Sequence, residues 1–434
     1  MSNKPELVFC GPVATRSGYG DHARDLLTSL FEMDKFNIKV ISINWGDTPM
    51  NALNNENPDH KKILDAIIPG LQSQPDVWVQ CTIPNEFQPV GKYNIGVTAG
   101  VETDLCSGEW IEGCNRMNLV IVPSKHAKDV FVGAKYEKRD KQTGQSIGNL
   151  EINVPIEVLH EGVRTEIFSK NLPQVESMAE YLNQIKEDFC YLFVGHWLKG
   201  DFGQDRKDVS GLIYTFLETF GDTENPPALL LKTSGGAFSI TDRTRTLEKI
   251  SLIKQMSKKK NLPNIYVLYG NLTDEEMNTL YNHDKVKAFV SFTKGEGYGR
   301  PIAEFITTGK PVLVSGWSGH IDFVNPAFHT YLDGELKPIH ESAVWEGVLN
   351  RDSSWFTVNY KLAAETLQKV HKKYKTYLSE SKKSVNEMET RWSYNKMREK
   401  FNTMLDNYLP KFAEKVSLKL PELKKLPVLK KVDS

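Results

Sequence analysis

The hydrophobic pattern of the chain alternates short apolar runs with longer amphipathic stretches. Apolar runs at residues 7–10, 40–43 and 77–81 have the length and composition of buried parallel strands. Between the first two runs, Asp21 can cap a helix whose apolar residues recur at helical spacing as far as Phe31. The chain therefore begins strand-loop-helix-strand, which is the start of a doubly wound parallel sheet.

Strands of the same kind continue along the chain and fall into two groups. They lie at residues 94–98, 119–122, 156–159, 189–194, 228–232, 265–268 and 312–314. A polar stretch at 171–187 separates the groups and predicts a linker between an N-terminal domain at 1–170 and a C-terminal domain at 188–390. Both domains are predicted to be Rossmann-like α/β units.

Four other stretches complete the division of the chain. The polar residues 137–150 predict an exposed loop, and helical spacing predicts helices at 341–349 and 358–380. A further helical pattern covers residues 391–410.

The stretch from 289 to 324 carries the strongest local signal. It has the pattern strand, glycine loop, short helix, strand and second glycine loop. The first glycine loop, residues 295–299, is followed by Pro301, which is favoured in the first turn of a helix. Gly309 can then end the helix. The pattern predicts a helix that opens directly from a glycine loop.

This arrangement suits a phosphate, because free backbone N–H groups and the positive end of the helix dipole point into the loop. Glu296 and Glu304 flank the opening with seven residues between them. A nucleotide sugar could place its diphosphate at the helix start, its ribose on one carboxylate and its sugar near the other. The alternative is a flexible loop followed by a solvated helix face.

The run EGYGRPIAE from Glu296 to Glu304 resembles the E-x7-E signature of retaining glycosyltransferases of the GT-B type, especially family 4. The resemblance implies two doubly wound Rossmann-like domains that face each other across a cleft, with residues 391–410 crossing back to the first domain. It also implies transfer of a sugar from a UDP- or GDP-linked donor to an acceptor hydroxyl with retention of configuration. No cofactor and no metal ion are expected.

The resemblance also assigns roles to charged residues. Glu296 is expected to contact the donor sugar and Glu304 the ribose. Lys207, with Lys232 or Arg206, is expected to hold the diphosphate, because a fixed cation stabilises charge that develops on a leaving group.

Two positions depart from the family pattern. His196 stands where relatives carry an arginine, so Lys199 or Arg206 could supply the missing charge. Glu102 stands at a strand end where many relatives carry a histidine, and it is our candidate for the catalytic group of the N-terminal domain. It could equally cap a helix.

Backbone groups in three glycine loops are expected to complete the pocket. The residues are Gly297, Tyr298, Gly299 and Gly319 in the second domain, and Gly18, Tyr19 and Gly20 in the first. The loop of the first domain lacks the G-x-G-x-x-G pattern, so it does not favour a nicotinamide cofactor.

Composition excludes several classes of protein. The chain has 434 residues, a hydrophobic fraction of 40% and a net charge of −1, so bulk charge does not favour a polyanion. No apolar run has the length of a membrane span, and no signal peptide is recognised at the start. Five scattered cysteines without a C-x-x-C pair predict a reducing, cytoplasmic environment and no zinc site.

Residues 411–434 hold seven lysines and three acidic residues, with leucines interspersed. Such a tail can contact an anionic surface, which would place the protein at the periphery of a membrane, or it can remain solvated.

Three other functions stay open. A sugar-nucleotide epimerase shares the fold and the donor, a phosphorylase shares the fold but needs a pyridoxal-lysine, and a binding module would bind without turnover. The acceptor is also open among glycan, lipid, protein and nucleic-acid hydroxyls, including a modified DNA base.

Overall fold

The computed structural model describes residues 4–140, 142–236 and 239–412. The N-terminal half of the chain contains eight strands and five α-helices in this part. In chain order they are β1 Glu6–Gly11, α1 Gly18–Met33, β2 Asn37–Ser42, α2 Pro58–Ala66, β3 Val77–Cys81, β4 Tyr93–Val97, α3 Gly108–Cys114, β5 Leu119–Val122, α4 Lys125–Gly133, β6 Tyr136–Arg139, β7 Ser146–Leu150, β8 Ile156–Val158 and α5 Glu176–Asn183.

In the C-terminal half, strands and helices alternate as far as β13, and three further strands and then four helices follow. Its elements are β9 Cys190–Val194, α6 Val209–Phe220, β10 Ala228–Lys232, α7 Ile240–Met256, β11 Ile265–Leu268, α8 Asp274–Asn282, β12 Val286–Ser291, α9 Arg300–Ile306, β13 Val312–Ser315, β14 Thr330–Leu332, β15 Gly334–Pro338, β16 Ser354–Val358, α10 Tyr360–Lys372, α11 Tyr374–Ser381, α12 Val385–Arg391 and α13 Tyr394–Tyr408.

Two six-stranded sheets form the framework. The strand orders are β2-β1-β3-β4-β5-β8 and β11-β10-β9-β12-β13-β14, and all pairings within them are parallel. Strands that are buried on both faces need continuous apolar side chains. The apolar runs in the sequence therefore predict these strands. The predicted fold class, two doubly wound α/β units, is confirmed.

The last described helix, α13, packs against the first sheet although it follows the second. Its Phe401, Met404 and Leu405 lie in one apolar cluster with Leu26 and Leu30 of α1. Within the described residues, the chain therefore returns to its N-terminal half through α13, and the two halves are joined twice. The domain limits at 170 and 188 stay a proposal.

Three local predictions are corrected by the structure. Residues 137–150 are not a loop but belong largely to the antiparallel hairpin β6–β7, whose side chains are mostly exposed and so give no apolar alternation. Residues 341–349 contain only a 3-10 turn, and strand β16 extends to Val358 before α10 begins. The stretch at 171–187 contains α5, which buries Met178 and Leu182 in the core of the second sheet. Of the tail at 411–434, only residues 411 and 412 lie within the described residues.

Candidate active site

The glycine loop between β12 and α9 lies directly against the N-terminal half. A Cβ atom at Gly297 would lie 1.7 Å from the carbonyl oxygen of Ala99, and one at Gly295 would lie 1.9 Å from that of Glu102. Gly100, with φ +91°, faces the Cα atom of Gly297. Only glycine allows two backbones to approach this closely. The loop therefore forms one of the contacts between the two halves, at the carboxyl ends of their strands.

Glu296 stands at the centre of a buried group of charges in this loop. Lys207 forms an ion pair with its Oε1 atom, and the Nη1 atom of Arg206 lies 3.3 Å from its Oε2 atom. Its backbone N–H donates to the Oγ atom of Ser318 at 2.9 Å. Burial raises the pKa of the carboxyl group, but Lys207 and Arg206 outweigh it and lower the pKa to about 2. Glu296 is therefore ionised at neutral pH.

The two cations are held by the loop that leads into α6. Asp208, at φ +48°, caps that helix by accepting a hydrogen bond from the N–H of Gly211 at 3.2 Å. The buried Nζ atom of Lys294 lies 3.4 Å from Asp208 Oδ2, while its backbone N–H donates to the carbonyl of Arg206 at 2.8 Å. Lys294 precedes the glycine loop by one residue. Lys294 therefore connects the loop that carries Arg206 and Lys207 to the loop that carries Glu296.

Glu102 approaches the same cations from the other half. Its Oε1 atom lies 3.8 Å from the Nη1 atom of Arg206, so Arg206 stands between Glu102 and Glu296. Asp104, two residues on, turns away and accepts a hydrogen bond from the N–H of Ser354 at 2.6 Å. The two predicted catalytic carboxylates, Glu102 and Glu296, thus converge on one guanidinium group.

Glu304 is buried, and each of its two carboxyl oxygens has a hydrogen-bond partner in the structure. Its Oε2 atom accepts from the hydroxyl of Tyr281 at 3.0 Å, and its Oε1 atom accepts from Nε of Arg300 at 3.2 Å. Burial raises its pKa to about 8, against the lowering effect of Arg300. Glu304 is the fifth residue of α9, which begins at Arg300, so it lies in the second turn of the helix and not in the first.

His196 and Lys232 lie at the ends of the neighbouring strands β9 and β10. The Nδ1 atom of His196 is 3.0 Å from Ser234 Oγ, and burial together with the charge of Lys207 lowers its pKa to about 4. Lys232 donates to the carbonyl of Gly270 at 2.6 Å, and burial lowers its pKa to about 8. The structure thus gives His196 a neutral ring.

The predicted loop of the N-terminal half contributes chiefly through Tyr19. Its hydroxyl is 3.0 Å from Thr98 Oγ1 at the end of β4, and its ring stacks on Trp45 at 3.9 Å between centroids. Gly20 is required by space, since a Cβ atom there would lie 2.3 Å from the carbonyl oxygen of Thr15, whereas Gly18 faces open space.

Three predicted residues remain: Gly299, at φ +100°, is the N-cap residue of α9, and Tyr298 and Gly319 support the glycine loop. Tyr298 is buried in the core of the second sheet, with its ring 4.8 Å from Phe323. Gly319 donates its N–H to the carbonyl of Glu296 at 2.9 Å. The sequence analysis missed four charged residues in or beside α9, namely Asp25, Glu161, Arg164 and Arg300. Only Arg300 had a signal in the sequence, because it lies inside the EGYGRPIAE motif.

Within the described ranges, no group of three or more His, Cys, Asp or Glu residues is arranged to hold a metal ion. All five cysteines are buried and have free thiols. Of the helices that the structure describes, none has the length and apolar character needed to cross a bilayer.

No protein-family model matches the chain, and no curated protein matches it by sequence. Solved structures do match. A glycosyltransferase from Rickettsia africae ESF-5 has a TM-score of 0.62 at 13% identity, covering 94% of this chain and 99% of that one. Sucrose-phosphate synthase from Thermosynechococcus elongatus gives 0.61 at 11% identity, over 93% and 99% of the two chains. HepE from Anabaena, solved in complex with UDP and glucose, gives 0.58 at 12% identity over 93% and 99%. The chain therefore has the GT-B fold of these glycosyltransferases over nearly its whole length.

Proposed function

We propose that the protein is a retaining glycosyltransferase of family 4 type, which transfers a sugar from a nucleoside diphosphate sugar to an acceptor hydroxyl. The observation that carries the proposal is the convergence of Lys207 and Arg206 on Glu296 at the contact between the two halves. A diphosphate and a sugar hydroxyl are the groups that two buried cations and an ionised carboxylate would bind. HepE, which was solved in complex with UDP and glucose, supports this choice of donor.

Lys207 and Arg206 would act on the leaving group. When the glycosidic bond breaks, its electron pair passes to the diphosphate, and the negative charge there grows. Two cations fixed in a buried site stabilise that charge without reorganisation. Because α9 has only seven residues, we assign diphosphate binding to these side chains and not to the helix end alone.

The carboxylates would bind the rest of the donor and the acceptor. Glu296 would accept hydrogen bonds from the sugar, and Glu304 from the ribose hydroxyls. Retention requires the acceptor oxygen to approach the face that the diphosphate leaves. We assign Glu102 to that side, because it is the carboxylate of the N-terminal half that reaches Arg206.

A screen of purified protein tests the proposal. UDP- and GDP-linked sugars are combined with a glycan, a lipid or DNA that carries a hydroxymethylated base, and the release of UDP or GDP is measured. Release that depends on one acceptor supports transfer, and a product that retains the donor's anomeric configuration supports retention. Activity that survives EDTA supports a mechanism without a metal ion.

The same screen separates the alternatives. An isomerised donor without acceptor would show an epimerase, and binding without turnover would show a binding module. A phosphorylase would carry pyridoxal absorbance. The free thiols agree with a cytoplasmic location, which we include in the proposal.

A further inference from the structure

Arg300 is the first residue of α9, and its guanidinium group reaches across to the N-terminal half. Its Nη2 atom lies 2.6 Å from Oδ2 of Asp25 on α1, and its Nη1 atom lies 3.5 Å from Oε2 of Glu161, which follows β8. Its Nε atom donates to Glu304 within its own helix. One guanidinium group therefore contacts a carboxylate of its own half and two carboxylates of the opposite half.

Asp25 is held by a second arginine from its own half. The Nε atom of Arg164 donates to Oδ1 of Asp25 at 2.7 Å, so each oxygen of Asp25 contacts one arginine. The guanidinium group of Arg164 lies 4.2 Å from the centre of the Tyr394 ring at the start of α13. Asp25 is only 4% exposed. A charged hydrogen bond in such a site is directional and is costly to leave unmade.

Arg300 also fixes the orientation of Glu304. One oxygen of Glu304 is bonded to Arg300 and the other to the Tyr281 hydroxyl. A ligand that bonds Glu304 therefore meets a carboxylate whose direction depends on where Arg300 lies. The position of Arg300 depends in turn on Asp25 and Glu161, and these contacts exist only while the two halves are together.

We propose that Arg300 is a positioning residue that couples nucleotide binding at Glu304 to closure of the two halves through Asp25. The proposal rests on the proposed function for the role of Glu304 as a nucleotide ligand. Coupling of this kind is reciprocal: the nucleotide favours the closed form, and the contact with Asp25 favours nucleotide binding. Asp25 thus affects nucleotide affinity without belonging to the nucleotide site.

The test compares two carboxylates of the same helix. Asp25→Asn removes the charge that Arg300 contacts across the cleft. Glu32→Gln, near the C-terminal end of α1, removes the charge that Arg398 of α13 contacts and serves as the matched control. UDP and GDP affinities are measured by calorimetry, and the radius of gyration by small-angle scattering with and without nucleotide.

We expect Asp25→Asn to weaken nucleotide binding by about tenfold, within the usual range of coupling between two sites. We also expect a larger radius of gyration without ligand. Glu32→Gln should match the wild-type protein in both measurements, and Asp25→Glu, which keeps the charge, should recover part of the affinity. Equal affinities and radii for Asp25→Asn and Glu32→Gln would overturn the proposal.

Two further comparisons keep the test decisive. In a Glu304→Gln background, Asp25→Asn should cause little additional loss of affinity, whereas a full additional loss would show that Asp25 does not act through Glu304. If Asp25→Asn does not fold, Arg300→Lys replaces it in the test. The lysine keeps the positive charge but cannot contact three carboxylates at once. Failure of the wild-type protein to bind any nucleotide would overturn the proposed function, while scattering would still decide whether Asp25 holds the halves together.

Discussion

Lys207 and Glu296 form a buried ion pair although 88 residues lie between them in the chain. The pair forms because their loops follow β9 and β12, which are neighbours in the second sheet. In the absence of a ligand, Lys207 and Glu296 are paired with each other. A donor would offer both a better match, because its diphosphate suits the cation and its sugar hydroxyls suit the carboxylate.

Replacement of Lys207 by alanine should lower kcat far more than it lowers stability. Arg206 remains 3.3 Å from Glu296 and keeps that carboxylate paired. The loss should be about 100- to 1000-fold in kcat, the size of effect found when one group that stabilises transition-state charge is removed. Steady-state kinetics and thermal unfolding measure the two effects.

Lys199→Ala is the matched control for Lys207→Ala. Lys199 lies in the same loop but donates to the carbonyl of Val344 at 3.0 Å, away from Glu296. Its kcat should stay close to that of the wild-type protein. An unchanged kcat in Lys207→Ala would move the role in diphosphate stabilisation to Arg206 or Lys232.

The two glutamates of the motif should separate in a binding experiment with plain UDP or GDP. Glu304→Gln replaces one acceptor oxygen for the ribose hydroxyls with an amide NH2 group that only donates, and should weaken diphosphate binding by about tenfold, since a buried hydrogen-bonding group left unpaired costs about 1–3 kcal/mol. Glu296→Gln should leave diphosphate affinity nearly unchanged and lower kcat. Calorimetry on both variants decides; the same loss of affinity in both, or a loss at Glu296 alone, would contradict the assignment.

The sequence indicated the fold and the centre of the site because both depend on local patterns. Buried parallel strands appear as apolar runs, and the loops that follow them must meet at one edge of the sheet. The resemblance to the glycosyltransferase motif assigned Lys207, Arg206 and Glu296 to one site, and the structure brings these three side chains together. It could not show that Arg300 contacts Asp25, because the two residues are 275 positions apart and on different halves of the chain.

The same limit applies to Tyr281 and Glu304. A tyrosine on α8 gives no sign in the sequence that its hydroxyl meets a carboxylate on α9, because the contact depends on how two helices pack on one face of the sheet. Partners of this kind are determined by packing and not by spacing.

Glu304 should make the stability of the ligand-free protein depend on pH. Burial raises its pKa from 4.5 to about 8, so the folded state binds this proton more tightly than the unfolded state. The stabilisation is then complete below about pH 4.5 and is lost as the pH rises through about 8. Other buried groups titrate in this range, so the quantity to measure is the difference between the wild-type protein and Glu304→Gln.

Urea unfolding of both proteins from pH 5 to 9 gives that difference. The free energy of unfolding of the wild-type protein, relative to that of the variant, should fall as the pH rises. A relative free energy that increases with pH would mean that the donors Arg300 and Tyr281 outweigh burial and lower the pKa of Glu304.

Lys294 and Asp208 should contribute strongly to stability, in contrast to ion pairs on the surface. Both side chains are almost fully buried, and Lys294→Met leaves Asp208 without its cation. Removal of one partner of a buried pair costs about 3–5 kcal/mol. Lys61→Met breaks the exposed pair with Asp65 and should cost less than about 1 kcal/mol. Urea unfolding compares the two, and similar costs would show that the buried pair does not hold the loops.

Gly297→Ala should prevent the two halves from meeting at the glycine loop without unfolding either half. The new methyl group would lie 1.7 Å from the carbonyl oxygen of Ala99, so the two halves must move apart at the loop that carries Glu296. Each half keeps its own sheet and core, so we expect folded protein with a melting temperature near that of the wild-type protein. Misplacement of the reacting groups by about 1 Å costs about 100-fold in rate, and the loss of kcat/KM should be at least that large.

Gly133→Ala is the control for Gly297→Ala, because a Cβ atom there meets nothing within 4 Å. Its kcat/KM should equal that of the wild-type protein. Small-angle scattering completes the experiment, since a blocked contact should increase the radius of gyration in Gly297→Ala alone. Wild-type activity in Gly297→Ala would show that catalysis does not need the two backbones to meet at this loop, and Glu102 could then not share Arg206 with Glu296 during the reaction.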